Sequence, residues 1–119
     1  MRVVIADPDL RRGRASAATV EQVLSSADVL LYGAPDAALA GIVEHGPDVV
    51  IVAPDLGPMF VRQAHEKTAE PKYVGVVPSP DPSLSTQYVD AGAQLVVATP
   101  LDAFDVQMAM RHRAGGVKP

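Results

Sequence analysis

The chain has 119 residues, of which 48% are hydrophobic and 20% are charged, and its formal net charge is −4. This length and composition predict one globular domain with a single core and exclude a disordered chain. The negative charge is no match for nucleic acid or anionic lipid, and the absence of cysteine excludes disulfides and thiolate chemistry. No apolar run reaches the ~20 residues of a transmembrane helix and the amino terminus has no signal-peptide pattern, so we expect a cytoplasmic domain without membrane contact.

Short apolar runs alternate along the chain with segments of helical spacing, and turn residues separate them. The predicted strands are Arg2 to Ala6, Asp28 to Tyr32, Val49 to Val52, Lys72 to Val77 and Gln94 to Ala98. The predicted helices are Leu10 to Leu24, the segment from Asp36 to Gly46, Phe60 to Thr68, Pro82 to Ala91, and Leu101 to about Arg113. We therefore expect one domain over residues 1–113, with 114–119 as a flexible tail or the start of a linker to an output domain.

The third strand, Val49 to Val52, is a continuous β-branched run without a polar face. Such a run is typical of a central parallel strand that helices cover on both sides. Five strands alternating with five helices predict an α/β fold, a flavodoxin-like (βα)5 three-layer sandwich with the parallel order 2-1-3-4-5. In such sheets the ligand site lies at the carboxyl ends of the strands.

Three local patterns lie near the ends of the predicted strands. An acidic turn, Asp7-Pro8-Asp9, follows the first strand, Pro47-Asp48 leads into the third, and Ala91-Gly92-Ala93 precedes Thr99-Pro100. In this order and spacing the chain resembles, over essentially its whole length, the CheY-like receiver domains of two-component response regulators. The resemblance implies a signalling domain of a phosphorelay. Typical members have a phosphoacceptor aspartate after strand three, two acidic Mg²⁺ ligands after strand one, a hydroxyl after strand four and a lysine after strand five.

Position by position, the chain departs from that pattern. The phosphoacceptor position is Ala53, the lysine position is Thr99, and the hydroxyl position is Val77 or Pro78. An alanine methyl cannot form an acyl phosphate, and threonine cannot supply the positive charge that a phosphoryl group requires. The resemblance is therefore to an atypical receiver, or pseudo-receiver, for which we expect no catalytic residue and no cofactor.

Three carboxylates near this edge leave alternatives open. Asp55 is the one candidate for a substitute phosphoacceptor, but Pro54-Asp55-Leu56-Gly57 is a common turn composition, and we favour the turn. Asp7 matches the acidic pair and Asp9 is displaced by one position. They form an acidic pocket that either holds Mg²⁺ or caps the first helix, and we favour the cap because strand three contributes no third ligand.

Three arginines, Arg11, Arg12 and Arg14, crowd the first turns of the first helix, where cations oppose the helix dipole. We hypothesise that one of them lies over the acidic turn in place of the missing metal. The alternative is a solvated basic face.

The last helix indicates a partner surface. Leu101, Phe104 and Met108 fit one inward stripe, which leaves Val106 and Met110 elsewhere on the helix. In the family, the fourth helix, fifth strand and fifth helix form the usual dimerisation face, so we expect a homodimer with Tyr88, Val106 and Met110 in the interface. The family also implies a cis peptide at Thr99-Pro100.

These observations predict a phosphorylation-independent receiver domain that acts by binding proteins and makes no direct contact with nucleic acid. A phosphorylatable receiver that uses Asp55 is the first alternative. The second is a small-molecule-binding flavodoxin-like domain such as a cobalamin binder. The stretch from Asp7 to Gly13 only partly matches the cobalamin signature, because it lacks the histidine.

Overall fold

A computed structural model of the chain describes residues 1–111, and its five strands and five helices alternate throughout. The strands are β1 (Arg2–Ala6), β2 (Asp28–Tyr32), β3 (Val49–Val52), β4 (Lys72–Val77) and β5 (Ala93–Ala98). The helices are α1 (Leu10–Val23), α2 (Pro35–His45), α3 (Gly57–Lys67), α4 (Pro82–Ala91) and α5 (Ala103–Arg111).

The strands form one parallel sheet in the order β2-β1-β3-β4-β5, which confirms the predicted flavodoxin-like topology. Every residue of β3 and β4 is buried, whereas most residues of the edge strands β2 and β5 are only partly buried. The β-branched run of β3 therefore lacks a polar face because helices cover both of its sides.

Alternate residues of each strand enter two separate apolar layers. Val4 and Ala6 of β1 pack with α2, α3 and α4, whereas Val3 and Ile5 pack with α1 and α5. This division follows from the two-residue period of a strand and gives the predicted three-layer sandwich.

Polar groups at the helix ends fix where the chain turns. The Asp9 carboxylate accepts a hydrogen bond from the Arg12 backbone N–H at 3.1 Å, and Asp81 caps α4 in the same way through Leu84. Gly46 ends α2 in the left-handed conformation, at φ 56°, which glycine adopts without strain. The Thr99–Pro100 peptide is cis, as predicted.

The predicted facing of α5 is wrong. Phe104 is 64% exposed, whereas Val106 is 2% exposed and Met110 is partly buried against the layer shared with α1. The prediction counted the helical phase from Leu101, but α5 begins at Ala103 and Leu101 lies in the preceding loop. Val106 is therefore a core residue and not an interface residue, and Met110 packs in part against the core.

Tyr88 is also misassigned as an interface residue, because it is 1% exposed. Its ring lies over Gly75 of β4, where a Cβ would be 2.7 Å from the Tyr88 Cε1 atom. The missing side chain at position 75 therefore makes the space that the ring fills.

The predicted helix and strand ends agree with the structure to within a few residues. Residues 112 and 113 of the predicted domain and the predicted tail, 114–119, lie outside the described residues. Among residues 1–111, no helix combines the length and apolar character needed to cross a bilayer.

Candidate functional site

The carboxyl ends of β1, β3 and β5 bring Asp7, Ala53 and Thr99 to one small pocket. Arg12 and Ser16 enter the pocket from α1, one helical turn apart and therefore on the same face. The cavity between them measures about 10 Å³, which is room for one water molecule at most. The remaining lining residues are apolar: Ile5, Ile51, Pro54, Val76 and Leu101.

Asp7 is the buried charge of this pocket, since its side chain is only 4% exposed. Arg12 donates to it through two nitrogens, Nε to Oδ2 at 2.8 Å and Nη2 to Oδ1 at 2.7 Å. The backbone N–H of Asp9 donates to the same Oδ1 at 2.9 Å. This two-nitrogen geometry is the strongest form of an arginine–carboxylate pair, and it satisfies a carboxylate that would otherwise be costly to bury.

Asp55 lies in the turn between β3 and α3, as predicted, and its side chain is 47% exposed. Its Oδ1 accepts a hydrogen bond from Nη2 of Arg12 at 2.9 Å. One arginine nitrogen therefore bridges a buried carboxylate and an exposed one, and it links α1 to the turn after β3.

The two carboxylates beside the Arg12 guanidinium change its pKa. The hydrogen bond to Asp7 is the largest influence and raises the pKa of Arg12 above its already high ordinary value; partial burial opposes this, and Asp55 adds a smaller increase. Arg12 is therefore a permanent cation at this site.

Asp9 does not point into the pocket. It is exposed and its carboxylate caps α1, which is the arrangement favoured from the sequence. Among residues 1–111, no three Asp, Glu, His or Cys side chains are grouped so as to hold a metal ion. Asp7, the one acidic residue that lines the pocket, already has its two oxygens bound by Arg12.

The positions that the resemblance assigns to reactive residues carry no carboxylate at 53, no amine at 99 and no hydroxyl at 77 or 78. Ala53 is 4% exposed and presents a methyl group at the end of β3. Thr99 lines the pocket, and its backbone N–H donates to the Val77 carbonyl at 2.8 Å. Val77 is a buried core residue and Pro78 is exposed, so neither offers a hydroxyl.

The hypothesis that an arginine lies over the acidic turn is confirmed, and the arginine is Arg12. The rotation of α1 selects this arginine from the three. Gly13 is the buried residue of the first turns, and Arg12 and Ser16 flank it on the side of the pocket, whereas Arg11 and Arg14 are exposed. The contact between Arg12 and Asp55 was not predicted, because it joins segments 43 residues apart.

Comparison with solved structures finds receiver domains over nearly the whole chain. The signal receiver domain of a DNA binding response regulator protein from Colwellia psychrerythraea matches with a TM-score of 0.83 at 15% identity, covering 93% of this chain and 95% of that chain. A CheY-like response regulator receiver domain protein from Methanospirillum hungatei matches with a TM-score of 0.79 at 18% identity, covering 92% of this chain and 90% of that chain. A response regulator protein from Burkholderia pseudomallei matches with a TM-score of 0.77 at 16% identity, covering 96% of this chain and 68% of that chain. That protein was solved with a phosphorylated aspartic acid and a calcium ion.

These likenesses show that the chain has the receiver-domain fold. No family model matches the sequence, and no curated protein matches it either.

Proposed function

We propose that the chain is an atypical receiver domain of a response regulator, which signals through protein contacts and does not accept a phosphoryl group. The observation that supports this most is the Arg12 guanidinium bound through two nitrogens to Asp7, next to the methyl group of Ala53. An internal cation thus occupies the acidic group that resembles the family's metal ligand. A domain of this kind would act in the cytoplasm.

Electrostatics supports the absence of a metal from this site. Mg²⁺ requires hard oxygen ligands in near-octahedral geometry and gives up its waters reluctantly. To bind here it would have to displace a guanidinium from two carboxylates, one of them only 4% exposed, and the side chain at the end of β3 is the methyl group of Ala53. The arginine is part of the chain and needs no ordering from solution, so it has the advantage over a dissolved cation.

The chemistry of phosphoryl transfer points the same way. The family's acceptor oxygen would come from position 53, which carries only a methyl group, and the cavity beside it has a volume of about 10 Å³. Asp55 is the nearest alternative acceptor, since it is exposed and Arg12 donates to it. A phosphoryl group on Asp55 would, however, have no metal and no lysine beside it, because position 99 is threonine.

Intact-mass spectrometry after incubation with Mg²⁺ and acetyl phosphate tests this proposal. We expect no added phosphoryl group on the wild-type chain, whereas a phosphorylatable response regulator treated in parallel gains one. Asp55→Asn is the matched variant. A phosphoryl adduct that appears on the wild type and is absent from Asp55→Asn would overturn the proposal in favour of an Asp55 switch.

We further propose that the protein contact is a homodimer through α4, β5 and α5. Support comes from Val89, which is 58% exposed on α4, and from Phe104, which is 64% exposed on α5. Between these helices lies the partly exposed edge strand β5, which pairs only with β4 among residues 1–111, and its free edge and apolar side chains are suited to a partner. The two exposed residues replace Tyr88 and Val106 as the interface prediction.

Sedimentation velocity over a range of concentrations tests the dimer. We expect self-association that Phe104→Asp abolishes, because an uncompensated carboxylate would be buried in the interface. Met59→Asp on α3 is the matched control, since Met59 is exposed to a similar extent, 66%, on a different helix. A wild-type chain that stays monomeric at all concentrations would exclude this contact.

A further inference from the structure

The apolar surface of helix α2 extends beyond the part that packs on the sheet. Ala38 and Ile42 are fully buried against the sheet, and Leu39 is partly buried against the same layer. Next to Leu39, Ala40 is exposed and Val43 is 55% exposed. This exposed apolar strip beside the buried face is suited to a partner.

Leu39, Ala40 and Val43 form the floor of a groove between α2 and α3. This α2–α3 groove has a volume of about 510 Å³ above that floor. It continues along α3 past Gln63 and Glu66.

The rim of the α2–α3 groove is mainly acidic. Three carboxylates, Asp36, Glu44 and Glu66, surround the floor, and Lys67 is the one ammonium group among the described lining residues. Within residues 1–111, none of these four exposed side chains makes an ion pair within 4 Å. Their charges therefore remain available to an incoming partner.

We propose that the α2–α3 groove docks a basic amphipathic segment of a partner protein. The apolar floor fits the leucine-like anchors of a short helix, and the three carboxylates select lysine or arginine on its flanks. An acidic or purely polar segment would meet like charges or leave the floor uncovered. This site uses α2 and α3 only, so it is independent of the Arg12 pocket and of the proposed dimer face.

The probe for this site is a synthetic peptide of about 14 residues, or four helical turns, with leucine and lysine at amphipathic spacing. Binding to the whole ¹⁵N-labelled chain is followed by NMR. We expect saturable shifts confined to the amides of α2 and α3, and weaker binding at higher salt as the rim charges are screened. A leucine–glutamate peptide of the same pattern and a scrambled leucine–lysine peptide serve as peptide controls.

Variants at exposed positions distinguish the contribution of the apolar floor to peptide binding from that of the charged rim. Val43→Asp should weaken binding at least about tenfold, because it places a carboxylate in the apolar floor. Its control, Leu10→Asp, alters an apolar residue that is 48% exposed on α1, outside this groove and outside the proposed dimer face, and should leave the affinity unchanged. The double variant Glu44→Lys/Glu66→Lys should weaken binding about tenfold by reversing two rim charges, whereas Asp90→Lys on α4 should not.

Several results would overturn the proposal. The first is that the leucine–lysine peptide does not bind at millimolar concentration, and the second is that a control peptide binds equally well. The third is that the NMR shifts spread over the surface of the domain and do not change in Val43→Asp. Concentration-dependent shifts of α2 and α3 without peptide would also overturn it, because the groove would then be an interface between copies of this chain.

Discussion

Removing the guanidinium of Arg12 while keeping its apolar stem tests the arrangement at the strand tips. In Arg12→Met the Asp7 carboxylate, which is 4% exposed in the wild-type chain, keeps one hydrogen bond, from the backbone N–H of Asp9. Two charge-assisted hydrogen bonds, at 2.7 and 2.8 Å, are lost. Removing one partner of a buried ion pair costs 3–5 kcal/mol; because Arg12 is 29% exposed, we expect about 3 kcal/mol less free energy of unfolding.

Urea denaturation followed by circular dichroism measures this loss. Arg14→Met is the matched control on the same helix, and since Arg14 is exposed and makes no ion pair among the described residues, we expect a change within about 0.5 kcal/mol. Asp55→Asn removes only the exposed half of the bridge and should cost about 0–1 kcal/mol.

A double-mutant cycle then isolates the pair. Combining Asp7→Asn with Arg12→Met removes the buried charge together with its partner, so the double variant should be more stable than the sum of the single effects predicts, by about 2 kcal/mol. A stability of Arg12→Met indistinguishable from that of Arg14→Met, or a coupling energy near zero, would refute the reasoning.

Three further changes test the packing around the sheet. Burial raises the pKa of Tyr73 to about 12 from about 10, so the folded state holds the phenolic proton more tightly than the unfolded state does. The free energy of unfolding therefore falls as the pH rises above 10. In urea titrations between pH 9 and 11, the wild type should lose roughly 1 kcal/mol more than Tyr73→Phe. Gly75→Ala should cost about 1–3 kcal/mol in the same assay, because its methyl overlaps the Tyr88 ring; a neutral result would contradict the packing described for that ring. Asp81→Ala should cost about 1 kcal/mol through the lost cap of α4, against no measurable change for the exposed Asp90→Ala, and equal effects would argue against the cap.

The fold could be predicted because its signals are local and mutually consistent. Apolar runs of four to six residues, each followed by a turn and a helical repeat, specify a parallel sheet with little ambiguity. The central run Val49 to Val52 even indicates its own place in the middle of the sheet, since only a strand covered on both faces has no polar side.

The helix faces were less predictable, because they depend on where a helix begins and on what lies beneath it. One loop residue, Leu101, was counted as the first member of the α5 stripe, and this shifted the assignment of Phe104 and Val106. Tyr88 looked like a surface aromatic residue until its contact with Gly75 became visible. Such a contact joins a helix and a strand, and the spacing of apolar residues within either element does not predict it.

The candidate site was predictable in its chemistry but only partly in its geometry. The absence of a carboxylate at position 53 and of a lysine at position 99 can be read directly from the sequence, and so can the excess of arginine near the acidic turn. Which of the three arginines binds Asp7 depends on the rotation of α1. The reach of Arg12 to Asp55 depends on the distance between two loops, which sequence spacing does not encode.

An NMR titration with Mg²⁺ and beryllofluoride, a phosphoryl mimic, tests the central claim most directly. If Arg12 takes the place of the metal and Ala53 leaves no acceptor, the amides of Asp7, Arg12 and Ala53 should show no saturable shift at low millimolar concentrations. Saturable shifts at these amides, abolished by Asp55→Asn, would show that the strand-tip pocket binds a metal and a phosphoryl group after all.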